Sequence, residues 1–490
     1  MPEKGSGVYN AVVLGAGTAG LVAAAGTAGL GGRVALVERH RMGGDCLNTG
    51  CVPSKALLSS ARAADAIRHA DRHGLEPGEP RFDFSRVLAH MRERRAALAP
   101  NDSQERLESL GVDVFRGQAR FVSPHEVVVT GAGGNEEARL SGRNFVIATG
   151  SRPTIPRIEG LDAVPYYTNE TVFDELSGNP GRLAILGGGP IGCELGQAFA
   201  RLGARVTIIQ TAPQILEKED ADAAGLVRRS LEADGVRILT GASGRRVSRE
   251  AGALSIAVET SDGRTEALDA DAILVAAGRT PNTAGLGLEA AGVAFTKKGV
   301  TVDANLRTSR PHIYAAGDVA GVWNFTHMAD SQARTIVRNI LLPWLPARAE
   351  ASVVPWCTYT SPEVARVGLN EEQARRRKIP CDVITQPMKD VDRAVIEGED
   401  AGWAKVLLAK GTDRILGVTL VAERAGDLLH EFVLAMKAGV GLATVAATVH
   451  AYPTLAEIAK KVADRQQKSR LTPFARRVLA WRYRRARSGA

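Results

Sequence analysis

Apolar runs and glycine-rich turns follow one another in the same order at two places in the chain. Val8 to Leu14 is apolar and reads as a strand, and Gly15-Ala16-Gly17-Thr18-Ala19-Gly20 then opens an Ala-rich helix from Leu21 to Gly29. Arg33 to Val37 is a second apolar run, ending at Glu38. The order returns with Arg182 to Leu186, Gly187-Gly188-Gly189-Pro190-Ile191-Gly192, a helix to about Leu202 and a strand from Arg205 to Ile209. Strand, helix and strand at this spacing predict a parallel, doubly wound α/β sheet, and two copies predict two such Rossmann-like domains.

Between the copies, Pro53 to about Leu110 reads as helical and the runs that follow as β, up to Ala148-Thr149-Gly150. A buried-strand run at Ile273 to Ala276 leads into Gly278-Arg279-Thr280-Pro281-Asn282, and a strand near Ile313 ends in Ala315-Ala316-Gly317-Asp318. From about Ala351 the pattern shifts to strands at Lys405 to Leu408 and Ile415 to Val421 and helices at Gly426 to Lys437 and Leu442 to Ala447, which predicts a third, α+β domain. Pro-rich connectors at Ser151 to Pro156 and Pro343 to Pro346 mark boundaries. At 490 residues the chain exceeds the length at which one core keeps growing.

The glycine turns carry chemistry. The first Gly of G-x-G-x-x-G makes the tight turn, the second lets backbone approach a pyrophosphate, and the third lets helix pack on strand. Phosphates then sit on unpaired N–H groups at a helix N-terminus, where the dipole favours anions. One such turn alone is a weak signal, but here each follows a strand and opens a helix. Glu38, 23 residues after Gly15, can accept from a ribose carrying a free 2′-OH. Gln210, 23 residues after Gly187, neither repels a 2′-phosphate nor grips it as Arg would. NADH and NADPH both stay open, with a lean to NADPH.

Two of the five cysteines stand in Gly43-Gly44-Asp45-Cys46-Leu47-Asn48-Thr49-Gly50-Cys51-Val52-Pro53-Ser54-Lys55. Pro53 favours a helix start, with Ser54 to Ala70 helical, so Cys51 is expected at the N-terminal edge, where the dipole and Lys55 stabilise a thiolate. Five residues of regular helix rise about 7.5 Å, beyond the roughly 7 Å Cα limit for a disulfide. A bond between Cys46 and Cys51 therefore needs Leu47 to Gly50 to be irregular. Structural zinc wants four ligands, and no second Cys/His pair accompanies this one, so redox chemistry is favoured and no metal site is expected. Cys193, Cys357 and Cys381 are isolated and read as small buried hydrophobes.

Residues 9 to about 460 resemble the pyridine nucleotide–disulfide oxidoreductases, and the cysteine segment is highly specific to that family. The resemblance implies FAD and NADPH or NADH as cofactors. It also implies an NAD(P) domain (156–280) inserted in an FAD domain (1–155 and 281–350), an interface domain (351–464) that forms a homodimer, and a basic tail (465–490). Gly15, Gly17, Gly20 and Glu38 would hold FAD, with Asp318 at the ribityl chain. Gly187, Gly189, Gly192 and Gln210 would take the nicotinamide cofactor, and Gly150 and Gly278 also count among the cofactor-binding residues. Lys55 would lie near the flavin N5, paired with Glu194. Cys51 would be the thiolate stacked on the flavin, and Cys46 the interchange thiol that meets the acceptor.

The sequence departs from the family's thiol reductases at the acid/base. Those enzymes place His directly before Pro, with Glu five residues after the His. Here His450-Ala451-Tyr452-Pro453-Thr454-Leu455-Ala456-Glu457 keeps Glu457 but puts Tyr452 at the His position. Thiol–disulfide exchange needs a proton carrier titrating near 7, and Tyr titrates at about 10. Mercuric reductases carry Tyr there, but also a C-terminal Cys pair, and no Cys follows Cys381 here. His450 is an alternative proton carrier or a satisfied structural histidine. The implied function is a mercuric reductase-like NAD(P)H oxidoreductase that passes electrons through Cys46 and Cys51 to a soft-metal or thiol/disulfide acceptor. A dihydrolipoyl dehydrogenase using His450 and a membrane-associated redox-sensing flavoprotein are the rivals.

The net charge of +8 belongs to the C-terminus. Residues 465–490 carry nine of the 62 Lys/Arg and no Asp/Glu, leaving 53 bases against 54 acids elsewhere. Phe474, Val478 and Trp481 fall at helical spacing among Arg476, Arg477, Arg482, Arg484 and Arg485, as in a weak membrane-surface contact or a solvated terminus. No nucleic-acid motif accompanies them, and no nucleic-acid partner is expected. No apolar run approaches the roughly 18 residues of a spanning helix. Met1 to Gly7 lacks a signal-peptide layout, so cytoplasm is the expected location.

Overall fold

The computed structural model describes residues 4–250 and 253–487; Met1 to Glu3, Ala251, Gly252 and the last three residues of the tail lie outside the described residues. Contacts divide the chain into two compact units, one of Met1–Arg68, Glu79–Ile215 and Asp234–Ala351, the other of His69–Gly78, Leu216–Ala233 and Ser352–Ala490.

In the first unit, five parallel strands run in the order Ile313–Ala315, Phe145–Ile147, Ala11–Leu14, Val34–Glu38, Val112–Arg116. Alternate residues go to opposite faces. Val13, Val34 and Leu36 pack with Ala23 of the helix Thr18–Gly29 and Ile336 of the helix Thr326–Leu341. Val12, Leu14, Ala35 and Val37 pack with Tyr9, Phe121 and Val127 of a four-stranded sheet. Burial on both faces is why these strands read as unbroken apolar runs. The run from Val8 is in fact two strands: Val8–Tyr9 joins the four-stranded sheet and only Ala11–Leu14 enters the parallel one. Asn10 marks the crossing, its side-chain oxygen accepting from the Arg33 N–H at 2.9 Å.

A second parallel sheet has the order Tyr167–Thr168, Ala272–Val275, Arg182–Leu186, Arg205–Gln210, Arg237–Thr240. The helix Pro190–Arg201 connects two of its strands, and an antiparallel meander lays Val247, Ile256 and Val258 on Leu186, Ile209 and Ile273. All its strands fall in sequence between Phe145–Ile147 and Ile313–Ala315, so the second sheet is an insertion in the first. Where the chain leaves and returns, Ser151–Pro153 and Arg279–Pro281 pair antiparallel.

The second unit holds an antiparallel sheet in the order Pro355–Thr358, Glu363–Gly368, Ile415–Ala422, Trp403–Ala409, Cys381–Pro387. Helices His430–Ala438, Leu442–Ala447 and Glu457–Arg470 add Phe432, Leu442, Ile458 and Val462 to its core. Lys405 is buried among carboxylates, 2.5 Å from Asp222 and 2.5 Å from Glu371. A last helix, Pro473–Arg487, forms the tail. Among the described residues no helix is long and apolar enough to cross a membrane.

Candidate active site

Each glycine of the two turns faces a different steric demand. A Cβ on Gly15 would lie 2.4 Å from the Ala148 carbonyl oxygen, and one on Gly20 1.8 Å from that of Gly15. At Gly17 the nearest atom is the Gly44 Cα, at 3.8 Å. The second turn repeats the pattern: Gly187 meets the Ala276 carbonyl at 2.4 Å, Gly192 that of Gly187 at 1.9 Å, and Gly189 has nothing within 4 Å. First and third glycines are thus closed by backbone, while the middle ones leave open space at the N-termini of helices Thr18–Gly29 and Pro190–Arg201. That space, lined by N–H donors, fits a dinucleotide pyrophosphate in both places.

The residue ending the second strand of each copy braces the turn. Glu38 accepts from the Ala16 N–H at 2.7 Å and from the His40 N–H at 2.6 Å. Gln210 accepts from the Gly188 N–H at 2.8 Å. Both are buried. Gly150 and Gly278 flank the connecting strands with φ of 65° and 111°, the left-handed region that favours glycine.

The cysteine segment is seated against the first turn. A Cβ on Gly44 would lie 2.5 Å from the Gly17 Cα, so only glycine allows this approach. Cys46 lies in a short helix, Gly44–Asn48, which ends at Thr49 with φ of −140°. At Gly50 a Cβ would stand 2.9 Å from the Asp45 carbonyl oxygen, and the long helix Cys51–Arg68 starts at Cys51 itself. The expected start at Ser54 is one turn late, because Pro53 fits inside a first turn, where its missing N–H is not needed. The irregular stretch narrows accordingly to Thr49 and Gly50. Cys46 and Cys51 are free thiols in hydrogen-bond contact.

This contact sets their charges. The Cys51 thiol is drawn down to about 6, first by the hydrogen bond from Cys46 and, against the opposing effect of burial, by the Thr326 hydroxyl at 3.3 Å and the Lys55 charge. Cys46 moves the other way, pushed up because it keeps the proton it donates and because it is largely buried. Lys55 Nζ lies 2.8 Å from the buried Glu194 carboxylate, as the sequence pairing anticipates. Cys193 is buried and its thiol is pushed up by that burial, which leaves it inert.

Two features escape the sequence reading. Thr326, first residue of the helix Thr326–Leu341, touches Cys51 across 275 positions of chain. Arg279 donates from Nε to the Ser151 hydroxyl at 2.7 Å, from Nη1 to Asn169 at 3.3 Å, and from Nη2 to the Ser151 carbonyl at 3.0 Å and to the Asp45 carboxylate. Ser151 in turn donates to Asp318 at 2.5 Å. Burial raises the Asp45 carboxyl above its ordinary range while Arg279 pulls it down. Arg279 stood in a glycine-flanked motif, which was the available signal, but spacing does not reveal its partners.

Tyr452, His450 and Glu457 all belong to the second unit. Tyr452 is exposed and donates to Asp392 at 3.0 Å, a bond that raises its pKa further from neutrality. The His450 side chain is 7% exposed, with Nε2 at 2.9 Å from Glu431 and Nδ1 at 3.0 Å from the Thr448 carbonyl. Glu457 opens the helix Glu457–Arg470, and one of its carboxylate oxygens is buried with no hydrogen-bond partner among the described residues. Nor do the described residues contain a group of three or more His, Cys, Asp or Glu side chains placed to hold a metal ion.

Residues 9–333 match the pyridine nucleotide-disulphide oxidoreductase family and residues 354–463 its dimerisation domain. The chain belongs to this family. It is an FAD-dependent pyridine nucleotide–disulfide oxidoreductase, and its dimerisation domain supports a homodimer. This oxidoreductase is 34% identical over 450 residues to a mercuric reductase of Lysinibacillus sphaericus, covering 92% of this chain and 81% of that one. It is 36% identical over 461 residues to a dihydrolipoyl dehydrogenase of Thermus scotoductus, covering 92% and 95%. Among solved structures, the Cu(II) complex of the HOCl-induced flavoprotein disulfide reductase RclA from Escherichia coli matches with a TM-score of 0.84 and 30% identity, over 94% of this chain and 99% of that one.

Proposed function

We propose that this oxidoreductase delivers electrons from NAD(P)H to a soft metal ion held by Cys46 and Cys51. The observation that carries the reading is the contrast between a Cys51 thiol drawn down to about 6 and a Tyr452 whose hydroxyl is engaged by Asp392 and titrates above its ordinary value. A thiolate is ready at neutral pH, while the position that supplies the proton carrier in the family's thiol reductases holds a group poorly suited to the task. A soft metal needs thiolate ligands more than a proton shuttle. Relatives named mercuric reductase and a Cu(II)-bound structural neighbour support the same direction.

Bound FAD supplies the two-electron relay between nicotinamide and dithiol. Gly15, Gly17, Gly20 and Glu38 would hold the pyrophosphate of FAD, with Asp318 toward its ribityl chain, and Gly187, Gly189, Gly192 and Gln210 would hold the nicotinamide cofactor. Lys55, kept in place by Glu194, faces the dithiol with positive charge and favours the Cys51 thiolate. Cys46 keeps its proton until it meets the acceptor, and the proton leaves as the metal–sulfur bond forms.

Steady-state oxidation of NADH and of NADPH with Hg(II), Cu(II) and glutathione disulfide, together with reduction of NAD+ by dihydrolipoamide, tests this reading. Metal-dependent turnover that is lost in Cys46→Ser is the expected result. Rapid dihydrolipoamide turnover abolished by His450→Ala would overturn it in favour of a lipoamide enzyme.

A further inference from the structure

The family match ends at residue 463, and the helix Pro473–Arg487 lies wholly beyond it. The helix therefore lies outside the segments matched to the family. At 15 residues it is about 22 Å long. Six of its residues are arginines and none is acidic. It also exposes large apolar groups: Phe474 at 76%, Trp481 at 54% and Tyr483 at 72%, with Val478 and Leu479.

Their order is not random. At about 100° per residue, Trp481, Phe474, Val478, Ala475, Leu479 and Tyr483 spread over about 200° of the circumference. Arg476, Arg477, Arg484 and Arg487 fall in the remaining arc. Arg482 and Arg485 interrupt the apolar arc, and the Arg485 guanidinium lies 4.9 Å over the Trp481 ring. That contact is a cation–π pair, which holds the Arg485 charge against the Trp481 ring.

We propose that this helix lies flat on an anionic lipid bilayer, with Phe474, Val478, Leu479 and Trp481 entering the headgroup boundary and the arginines facing the anionic headgroups. Charge complementarity selects this occupant: the rest of the chain is near neutral, with 53 bases against 54 acids, and the cationic excess is confined to the tail. The two aromatic residues with polar edges, Trp481 and Tyr483, are the residue types that settle at a membrane–water boundary. Phosphate recognition in a nucleic acid would use the arginines but would leave Phe474, Val478 and Leu479 in water. The enzyme thus docks reversibly, since a single amphipathic helix neither spans nor anchors permanently.

Flotation of the full-length holoenzyme with phosphatidylglycerol-containing vesicles tests the proposal, with phosphatidylcholine vesicles as the neutral comparison. Binding is expected only to the anionic vesicles, and it should be lost when salt rises from about 0.1 M to about 1 M, which shortens screening from about 10 Å to about 3 Å. Replacing Arg476, Arg477, Arg484 and Arg487 by Gln should weaken partitioning on the order of a hundredfold or more. The double variant Phe474→Ser with Trp481→Ser should also lose binding. NAD(P)H oxidation should be unchanged in both variants, which shows that each is folded. No binding by the unaltered protein overturns the proposal, as does equal binding by the variants. A shift in oligomeric state on removal of residues 471–490, without vesicle binding, would assign the helix to a second copy instead. Retention on duplex DNA with none on vesicles would assign it to nucleic acid.

Discussion

Replacing Thr326 by Val removes one hydroxyl and keeps the side chain's volume, so it tests the hydrogen bond that this hydroxyl makes to Cys51, alongside its contact with Cys46. A hydrogen bond to a charged group contributes about 1.5–3 kcal/mol, and about 1.4 kcal/mol corresponds to one pKa unit. The bond is long, at 3.3 Å, so the low end applies. The Cys51 thiol should therefore rise from about 6 by about one unit. The sign is fixed by the chemistry. Cys51 is a thiol below its pKa and a thiolate above it, so removing a donor moves the onset of thiolate to higher pH. The rate of iodoacetamide labelling at Cys51, resolved from Cys46 by peptide mass and followed against pH under anaerobic, reduced conditions, reads the midpoint. Cys46→Ala removes the largest stabilising contact and should move the midpoint further than Thr326→Val does. A midpoint unmoved in Thr326→Val, or lowered, would refute the assignment of that hydroxyl to the thiolate.

Three further outcomes follow from the geometry. Gly189→Ala meets no atom within 4 Å and should fold normally while raising the KM for the nicotinamide, whereas Gly192→Ala drives a Cβ to 1.9 Å from the Gly187 carbonyl and should lose soluble protein; circular dichroism and steady-state kinetics separate the two. Lys55→Met removes the ion-pair partner at 2.8 Å from the buried Glu194 carboxylate, and because Lys55 itself is 37% exposed the expected destabilisation is about 1–2 kcal/mol rather than the larger value of a fully buried pair. A fall of a few degrees in Tm, partly restored by adding Glu194→Gln, is the result to look for. Lys405→Met removes the cation shared by Asp220, Asp222 and Glu371, and because Asp222 and Glu371 are 49% and 44% exposed it should cost about 1–3 kcal/mol in urea unfolding at neutral pH. An unfolding midpoint unchanged in the variant would contradict it.

Local features were legible in the sequence. The two glycine turns could be read because each glycine answers a steric demand from atoms a few residues away or on the next strand, as at Gly20 against the Gly15 carbonyl. The Cys46–Cys51 segment and the Lys55–Glu194 pair were legible through family resemblance. What was hidden depends on segments that meet only in the fold. Thr326 reaches Cys51, and Arg279 joins Asp45, Ser151 and Asn169, with no trace in spacing. Gln210 looked like a weak discriminator between nicotinamides, yet its oxygen is spent on bracing the turn. His450, two residues from Tyr452 in sequence, turns instead to Glu431. Helix boundaries shifted where proline's tolerance in the first turn allowed Cys51 itself to begin the helix.

The most direct measurement is an anaerobic titration of the FAD-loaded enzyme with NADPH or NADH, counting thiols as reduction proceeds. Starting from the oxidised Cys46–Cys51 disulfide, the first two electrons should pass through FAD to the sulfurs, giving two new thiols per chain while the flavin returns to its oxidised form, with a long-wavelength absorption from the Cys51 thiolate to oxidised flavin that is missing in Cys51→Ser. Reduction that stops at FAD, with no new thiols and no such band, would contradict electron transfer through Cys46 and Cys51.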